Sequence, residues 1–261
     1  MRIATWNVNS VRLRLEQLGQ IATHLRPDVL CLQETKVVDE LFPREAFTAL
    51  GYEHLAIQGM KSYNGVAIAS RRPLSNIRTH RWCDKDDCRH ISAEIDGIEV
   101  HCLYIPAGGD IPDPAVNVKF AHKLTFLDEL TAWFAAQDPA KPMVVTGDFN
   151  IAPLETDVWS HKQMLKIVSH TPVEVDRLNR LQASLDWVDG VRRIIPPAEH
   201  LYTWWSYRAA DWAASNKGRR LDHIWVTPPL ADRVTAAETM PATRSYTPPS
   251  DHVPVMLELK D

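Results

Sequence analysis

Apolar residues in this chain come in short runs that stop on polar groups. Ile3-Ala4-Thr5-Trp6 meets Asn7, and Val29-Leu30-Cys31-Leu32 meets Gln33-Glu34. Met143-Val144-Val145 is halted by Gly147, with Asp148 and Asn150 beyond it. Runs of this length bounded by turn formers predict buried strands. Strands are expected over 2–6, 29–32, 52–57, 65–70, 91–95, 98–105, 143–145, 223–226 and 253–259. Asp96-Gly97 marks a hairpin turn between two of them. The period changes between strands. Val11, Leu15, Leu18, Ala22 and Leu25 recur at helical spacing, with Ser10 as N-cap and Arg26-Pro27-Asp28 as the stop. Phe120, Leu124, Leu127, Leu130 and Phe134 share one face of a second helix, and Leu178, Leu181 and Leu185 mark a third. Strands and helices alternate without a linker or fixed-period repeat, so one domain over 1–261 is expected. It is an α/β sandwich, with two sheets face to face and helices outside.

Composition narrows the function. A formal net charge of -4 is not that of a protein binding nucleic acid by bulk charge. A phosphate-bearing substrate stays compatible, because a metal ion and local Lys or Arg residues can supply the positive field. No apolar run approaches the roughly 20 residues of a membrane-spanning helix. Met1 leads directly into a strand with no signal-like leader, so a cytoplasmic location is expected. Cys31 and Cys102 lie in strand-like runs and read as small buried residues. Cys83, Cys88, His90 and His101 match no common zinc spacing, so free thiols are expected.

The strand ends carry the chemistry. Asn7, Glu34, Asp148, Asn150, Asp222, Asp251 and His252 form an inventory suited to metal-assisted phosphodiester hydrolysis. Mg²⁺ takes hard oxygen ligands and uses one or two carboxylates, for which Glu34 and Asp251 are the candidates, with Asn7 as an outer ligand. Asp148 and Asn150 suit the activation and orientation of water. His252 can donate to a phosphate oxygen, with Asp222 holding it protonated. Either Asp148 or His252 can take the proton from water. Tyr104, at another strand end, is a further donor to the phosphate. Taken singly, each of these residues reads as an ordinary cap or surface group; only the set is specific.

In this order, Trp6-Asn7-Val8-Asn9-Ser10-Val11-Arg12, Leu32-Gln33-Glu34-Thr35-Lys36, Asn64-Gly65-Val66-Ala67, Thr146-Gly147-Asp148-Phe149-Asn150, Arg220-Leu221-Asp222 and Ser250-Asp251-His252 closely resemble one family. It is the exonuclease III family of AP endonucleases, within the DNase I-like endonuclease/exonuclease/phosphatase superfamily. The resemblance spans essentially the whole chain. It implies a four-layer α/β sandwich of two mainly antiparallel sheets, and Mg²⁺- or Mn²⁺-dependent hydrolysis of DNA. It implies metal contacts at Asn7, Glu34 and Asp251, and a second metal position at Asp148, Asn150 and His252. Asp222 then pairs with His252, and Tyr104 contacts the scissile phosphate. Arg89 contacts the DNA backbone, and Trp204 walls the pocket for an extruded abasic sugar. The implied activity is cleavage 5′ to abasic sites, with 3′→5′ exonuclease and 3′-end cleaning. The partner is double-stranded DNA with abasic sites or 3′ ends, and the protein is expected to be a monomer.

Two features depart from the family. Arg219 stands where several relatives place a bulky apolar residue against the sugar, which makes it a substrate-binding candidate. Residues 153–175 follow the best-known bacterial member poorly. Arg208, Lys217 and Arg220 are further candidate phosphate contacts, whereas Trp205 and Tyr207 read as core. Two alternatives stand beside the leading reading. One is a phosphoesterase of the superfamily acting on RNA, an inositol phosphate or a phospholipid head group. The other is an inactive DNA-binding scaffold.

Overall fold

The computed structural model describes residues 1–209 and 211–260. The first of its two six-stranded sheets contains β1 (Arg2–Asn7), β2 (Val29–Gln33), β3 (His54–Gln58), β4 (Val66–Ser70), β11 (Val234–Thr239) and β12 (Val255–Leu259), in the order β11-β12-β1-β2-β4-β3. The second contains β5 (Ser75–Arg78), β6 (His90–Ile95), β7 (Ile98–Tyr104), β8 (Met143–Asp148), β9 (Val188–Asp189) and β10 (Asp222–Val226), in the order β5-β6-β7-β8-β10-β9. Each sheet has one parallel pair at its centre, β1 with β2 and β7 with β8. The other pairs are antiparallel.

Four layers follow from which faces are apolar. The inward residues of the two sheets, among them Ile3, Val29, Cys31, Ile68, Val100, Cys102, Val144 and Ile224, form the central core. Their alternate neighbours face outward and are apolar too. Ala4, Leu30 and Leu32 pack against Leu18 and Ile21 of α1 (Leu15–His24). A short α2 (Arg44–Ala49) adds Phe47 to that layer. Leu103, Val145 and Trp225 pack against Phe126, Leu127 and Leu130 of α3 (Val118–Ala135). After α4 (His161–Met164), α5 (Pro172–Ala183) brings Leu178 and Leu181 to the same layer. Burial on both faces explains why the central strands read as continuous apolar runs rather than alternating ones. Each fully buried Leu, Ile or Val contributes roughly 1.5–3 kcal/mol.

Several expectations need correction. Ser10 does not cap a helix: its φ is 88° and its side chain makes no capping bond. A 3₁₀ turn over Val11–Leu13 comes first, and α1 starts at Leu15. Strands β5, β9 and β11 were not expected, β9 being only two residues long. β5 is exposed along its length, and β11 is a sheet-edge strand poor in large apolar residues, so neither has a clear apolar pattern. The Asp96-Gly97 turn is as expected, with φ of 50° and 77° and the pair Ile95–Ile98 closing the hairpin.

Gly147 does not stop its strand; β8 continues through it to Asp148. Its φ is 143°, and a Cβ there would lie 1.9 Å from the Leu103 carbonyl oxygen of β7. The glycine therefore permits a close strand approach just before the chemical residues. Gly147→Ala is predicted to lower stability by more than about 1 kcal/mol. A denaturant midpoint equal to that of the parent would show that the approach is not constrained.

Candidate active site

The parallel pairs bring the functional residues to one edge of the sandwich. In the first sheet Asn7 is in register with Gln33, and Glu34 follows immediately at φ 52°. In the second, Tyr104 is in register with Asp148, and Asp148 with Asp222. Three functional side chains thus come from one row across three strands. The turn holding Glu34 is braced from β4: Thr35 N–H donates to Gly65 O and Lys36 N–H to Asn64 O. His252 is placed by a bridge to Trp204 and by the Trp6 indole, which donates to its carbonyl at 3.0 Å.

Side-chain bonds then cross between the sheets. Asn7 Nδ2 donates to Glu34 Oε1 and to Asp148 Oδ2, both at 2.9 Å. Tyr104 Oη donates to Glu34 Oε1 at 2.8 Å. Asn150 donates its backbone N–H to Asp148 Oδ1 at 2.9 Å and its Nδ2 to Asp148 Oδ2 at 3.1 Å. His252 Nδ1 lies 2.8 Å from Asp222 Oδ2, and its Nε2 lies 3.6 Å from Asp148 Oδ2. Thr203 Oγ1 donates to the same Asp222 oxygen at 2.6 Å. Asp251 accepts from Asn9 Nδ2 at 3.1 Å and from Trp204 Nε1 at 2.9 Å.

These contacts set the protonation states. Burial pushes the Asp148 carboxyl up to about 7, against the pull of the neighbouring His252. Burial disfavours the charged form of His252, but Asp222 and Asp148 overcome it and raise the imidazole to about 10. Burial also works against an ionised Glu34, yet Lys36 at 2.7 Å and the donors Asn7 and Tyr104 hold it below the usual carboxylate range. Burial, with Glu34 and Asp148 nearby, pushes the Tyr104 phenol well up, so it remains a donor.

Glu34, Tyr104, Asp148, Asn150, Asp251 and His252 line one cleft of about 720 Å³. Trp204, Arg219, Trp159 and Tyr207 also line it. The ligand atoms of Asp148, Asp222 and His252 lie within 4.8 Å of one another, a group able to hold a metal. Arg89 stacks over the Tyr104 ring at 4.8 Å, donates to Tyr104 O and pairs with Asp87, so it supports the phenol from behind. Two expectations fail. Tyr207 is 48% exposed rather than core, with its hydroxyl on Pro249 O and Asn9. Arg220 is fully buried between Asp157 and Asp189 and is not free for phosphate.

Residues 4–252 match the family model described as the endonuclease/exonuclease/phosphatase family. The chain belongs to that family. It is 32% identical over 273 aligned positions to exodeoxyribonuclease III of Haemophilus influenzae, covering 100% of both chains. Among solved structures, an AP endonuclease from Archaeoglobus fulgidus shares 34% identity with a TM-score of 0.92, covering 100% of both chains. A 3′ phosphatase, NExo, from Neisseria, solved with a product DNA hairpin, shares 32% identity with a TM-score of 0.91, again covering 100% of both.

Within this endonuclease/exonuclease/phosphatase domain, sequence reasoning missed the supports. Asn9 links Asp251 to Lys36, whose Nζ donates to Asn9 Oδ1 at 2.6 Å. Lys123, fully buried on α3, bonds Asn150 O at 2.8 Å and pairs with Glu174 at 2.5 Å. Glu174 in turn accepts from Ser169 N–H and from Thr171. Two signals were readable: a lysine on the apolar stripe of a helix, and Thr171 with Glu174 three residues later as a capping box.

Lys123→Met leaves Glu174 charged and buried without its partner, so it is predicted to cost about 3–5 kcal/mol. The double variant Lys123→Met/Glu174→Leu should recover part of that loss. Chemical denaturation of the three proteins checks this; a single variant as stable as the parent would refute it.

Proposed function

We propose that the chain is a metal-dependent DNA-repair phosphodiesterase. It acts as an AP endonuclease that cleaves 5′ to abasic sites and also trims or cleans 3′ ends of duplex DNA, as a monomer. One observation carries this reading: Asp148 and His252 face each other at 3.6 Å, each held by buried partners, in the cleft that also contains Glu34 and Asp251. The similarity to an exodeoxyribonuclease III, an AP endonuclease and a 3′ phosphatase supports DNA as the substrate. The lining formed by Trp204 and Trp159 suits a nucleotide without a base, whose extrusion costs least. Nothing comparable favours an RNA, inositol phosphate or lipid substrate.

The cleft fits a divalent cation. Four carboxylates, Glu34, Asp110, Asp148 and Asp251, line it, and Lys36 and His252 are the only cations paired with them among the described residues. Hard oxygen donors select Mg²⁺, with Mn²⁺ as a substitute. Glu34 and Asp251 would hold the ion with Asn7 behind them, and Asp148 and Asn150 would supply donors for a second position, which His252 could join only as the neutral imidazole. When bound, the ion supplies a Lewis acid to the phosphate and steadies the leaving 3′ oxygen.

The protein groups divide the remaining work. Asp148 takes the proton from the attacking water, because a carboxyl near 7 is matched to neutral pH. Asn150 has both amide hydrogens committed, to Ile105 O and Asp148, which leaves Oδ1 to orient that water. His252, held as the imidazolium by Asp222, donates to the phosphate as charge builds there. Tyr104 is the second donor on the same side.

Asp148→Asn and His252→Ala are predicted to reduce cleavage of an abasic duplex by about 10²–10⁴-fold with the melting temperature largely kept. EDTA should abolish turnover of the parent protein. Comparable rates in either variant, or with the chelator, would sink the assignment.

The pH profile follows from the same two groups. kcat/KM should rise as pH passes about 7, where Asp148 loses its proton, and fall toward about 10, where His252 loses its own. Asp222→Asn removes the negative charge that favours the imidazolium, so the alkaline limb should move to lower pH. An alkaline limb unmoved in that variant would separate His252 from the reaction.

A further inference from the structure

Among the described residues, no carboxylate forms an ion pair with Arg219. Three neighbouring cations do have such a partner, Lys36 with Glu34, Lys123 with Glu174, and Arg220 with Asp157 and Asp189, whereas the buried Arg14 and Arg244 meet backbone carbonyls and Tyr207. Arg219 instead donates Nη1 to two neutral acceptors, Val168 O at 3.1 Å and Ser169 Oγ at 3.0 Å. Its guanidinium lies 4.8 Å from the centroid of the Trp204 ring. Burial lowers its pKa to about 10, so it is still charged at neutral pH, and Glu174 offsets only part of that cost. An unpaired, partly desolvated charge in a cleft wall is relieved when an anion arrives.

The ring that carries Arg219 also reaches the acidic end of the cleft. Trp204 Nε1 donates to Asp251 at 2.9 Å while its face supports the guanidinium. A phosphate held beside Asp251 therefore has a cation one indole away. We propose that Arg219 is a specificity-determining residue that reads a second negative charge next to the scissile phosphate, on its pocket side. Two substrates supply that charge: a damaged 3′ end whose terminal group bears a carboxylate, and the next backbone phosphate at an internal abasic site. An uncharged sugar offers Arg219 only neutral acceptors, of the kind Val168 O and Ser169 Oγ already supply. The inference rests on the phosphodiesterase reading above.

Two matched pairs of duplex oligonucleotides test it. The first pair ends in a 3′-phosphoglycolate or a 3′-phosphoethyl ester, which differ by a carboxylate. The second carries an internal abasic analogue followed by a phosphate or by a neutral methylphosphonate. The parent protein should favour the charged member of at least one pair by about tenfold in kcat/KM, the scale of one charge-assisted hydrogen bond. Arg219→Leu should bring that ratio close to one, and Arg219→Lys should keep part of it. Preference within the first pair assigns the charge to the terminal group, and within the second to the backbone. Ratios near one in the parent for both pairs, or unchanged in Arg219→Leu, would overturn the proposal. Fluorescence anisotropy on the same duplexes in EDTA measures the ratios without turnover. A parent protein that cleaves nothing then refutes the phosphodiesterase reading, while the affinity ratios still decide Arg219. Melting temperatures of both variants identify loss of fold.

Discussion

One carboxamide ties the two sheets together where the chemistry lies. Asn7 ends a strand of the first sheet, and its single Nδ2 donates both to Glu34 of its own sheet and to Asp148 of the other. Both bonds use the two hydrogens of one planar group, so the two carboxylates are held at a separation fixed by amide geometry. Unassisted, two buried carboxylates repel, and one of them would keep its proton. Asn7 shares donors between them, Lys36 stabilises Glu34, and the proton affinity is left on Asp148. The asymmetry between an ionised Glu34 and an Asp148 near neutrality is thus built into the join between the sheets.

The central strands were legible because burial on both faces makes them continuous apolar runs, and their polar ends were legible by contrast. Asn7, Glu34, Asp148, Asn150, Asp222, Asp251 and His252 all lie at this edge. Of the edge strands only β3 was legible; β5, for one, is exposed throughout and offers no burial pattern. The reading of Gly147 as a turn former missed its use for close strand approach, because that depends on where Leu103 lies in the neighbouring strand. Tyr207 and Arg220 exchanged their expected places for a similar reason. An aromatic among tryptophans looks like core, and an arginine beside another looks like surface. Only the positions of Asp157 and Asp189 decide that Arg220 is inside.

The buried ion pairs around the site are a framework more than a source of stability. Desolvating Lys123 and Glu174 costs much of what their attraction returns. What the pair secures is geometry, since Lys123 holds the carbonyl of Asn150 and Glu174 holds the backbone of Ser169. Asn150 and the support of Arg219 therefore share one foundation.

The bond from the Trp204 indole to Asp251 has a consequence for how such a site diversifies. The residue that lines the cleft also orients a carboxylate within it. Replacing the indole with a phenyl ring keeps an apolar wall and deletes the donor. Asp251 would then rely on Asn9 alone, and its freedom to swing would grow. Under the proposed function, in which Asp251 holds the cation and Trp204 walls the pocket, substrate preference and cation affinity are coupled at position 204, and selection on either drags the other with it.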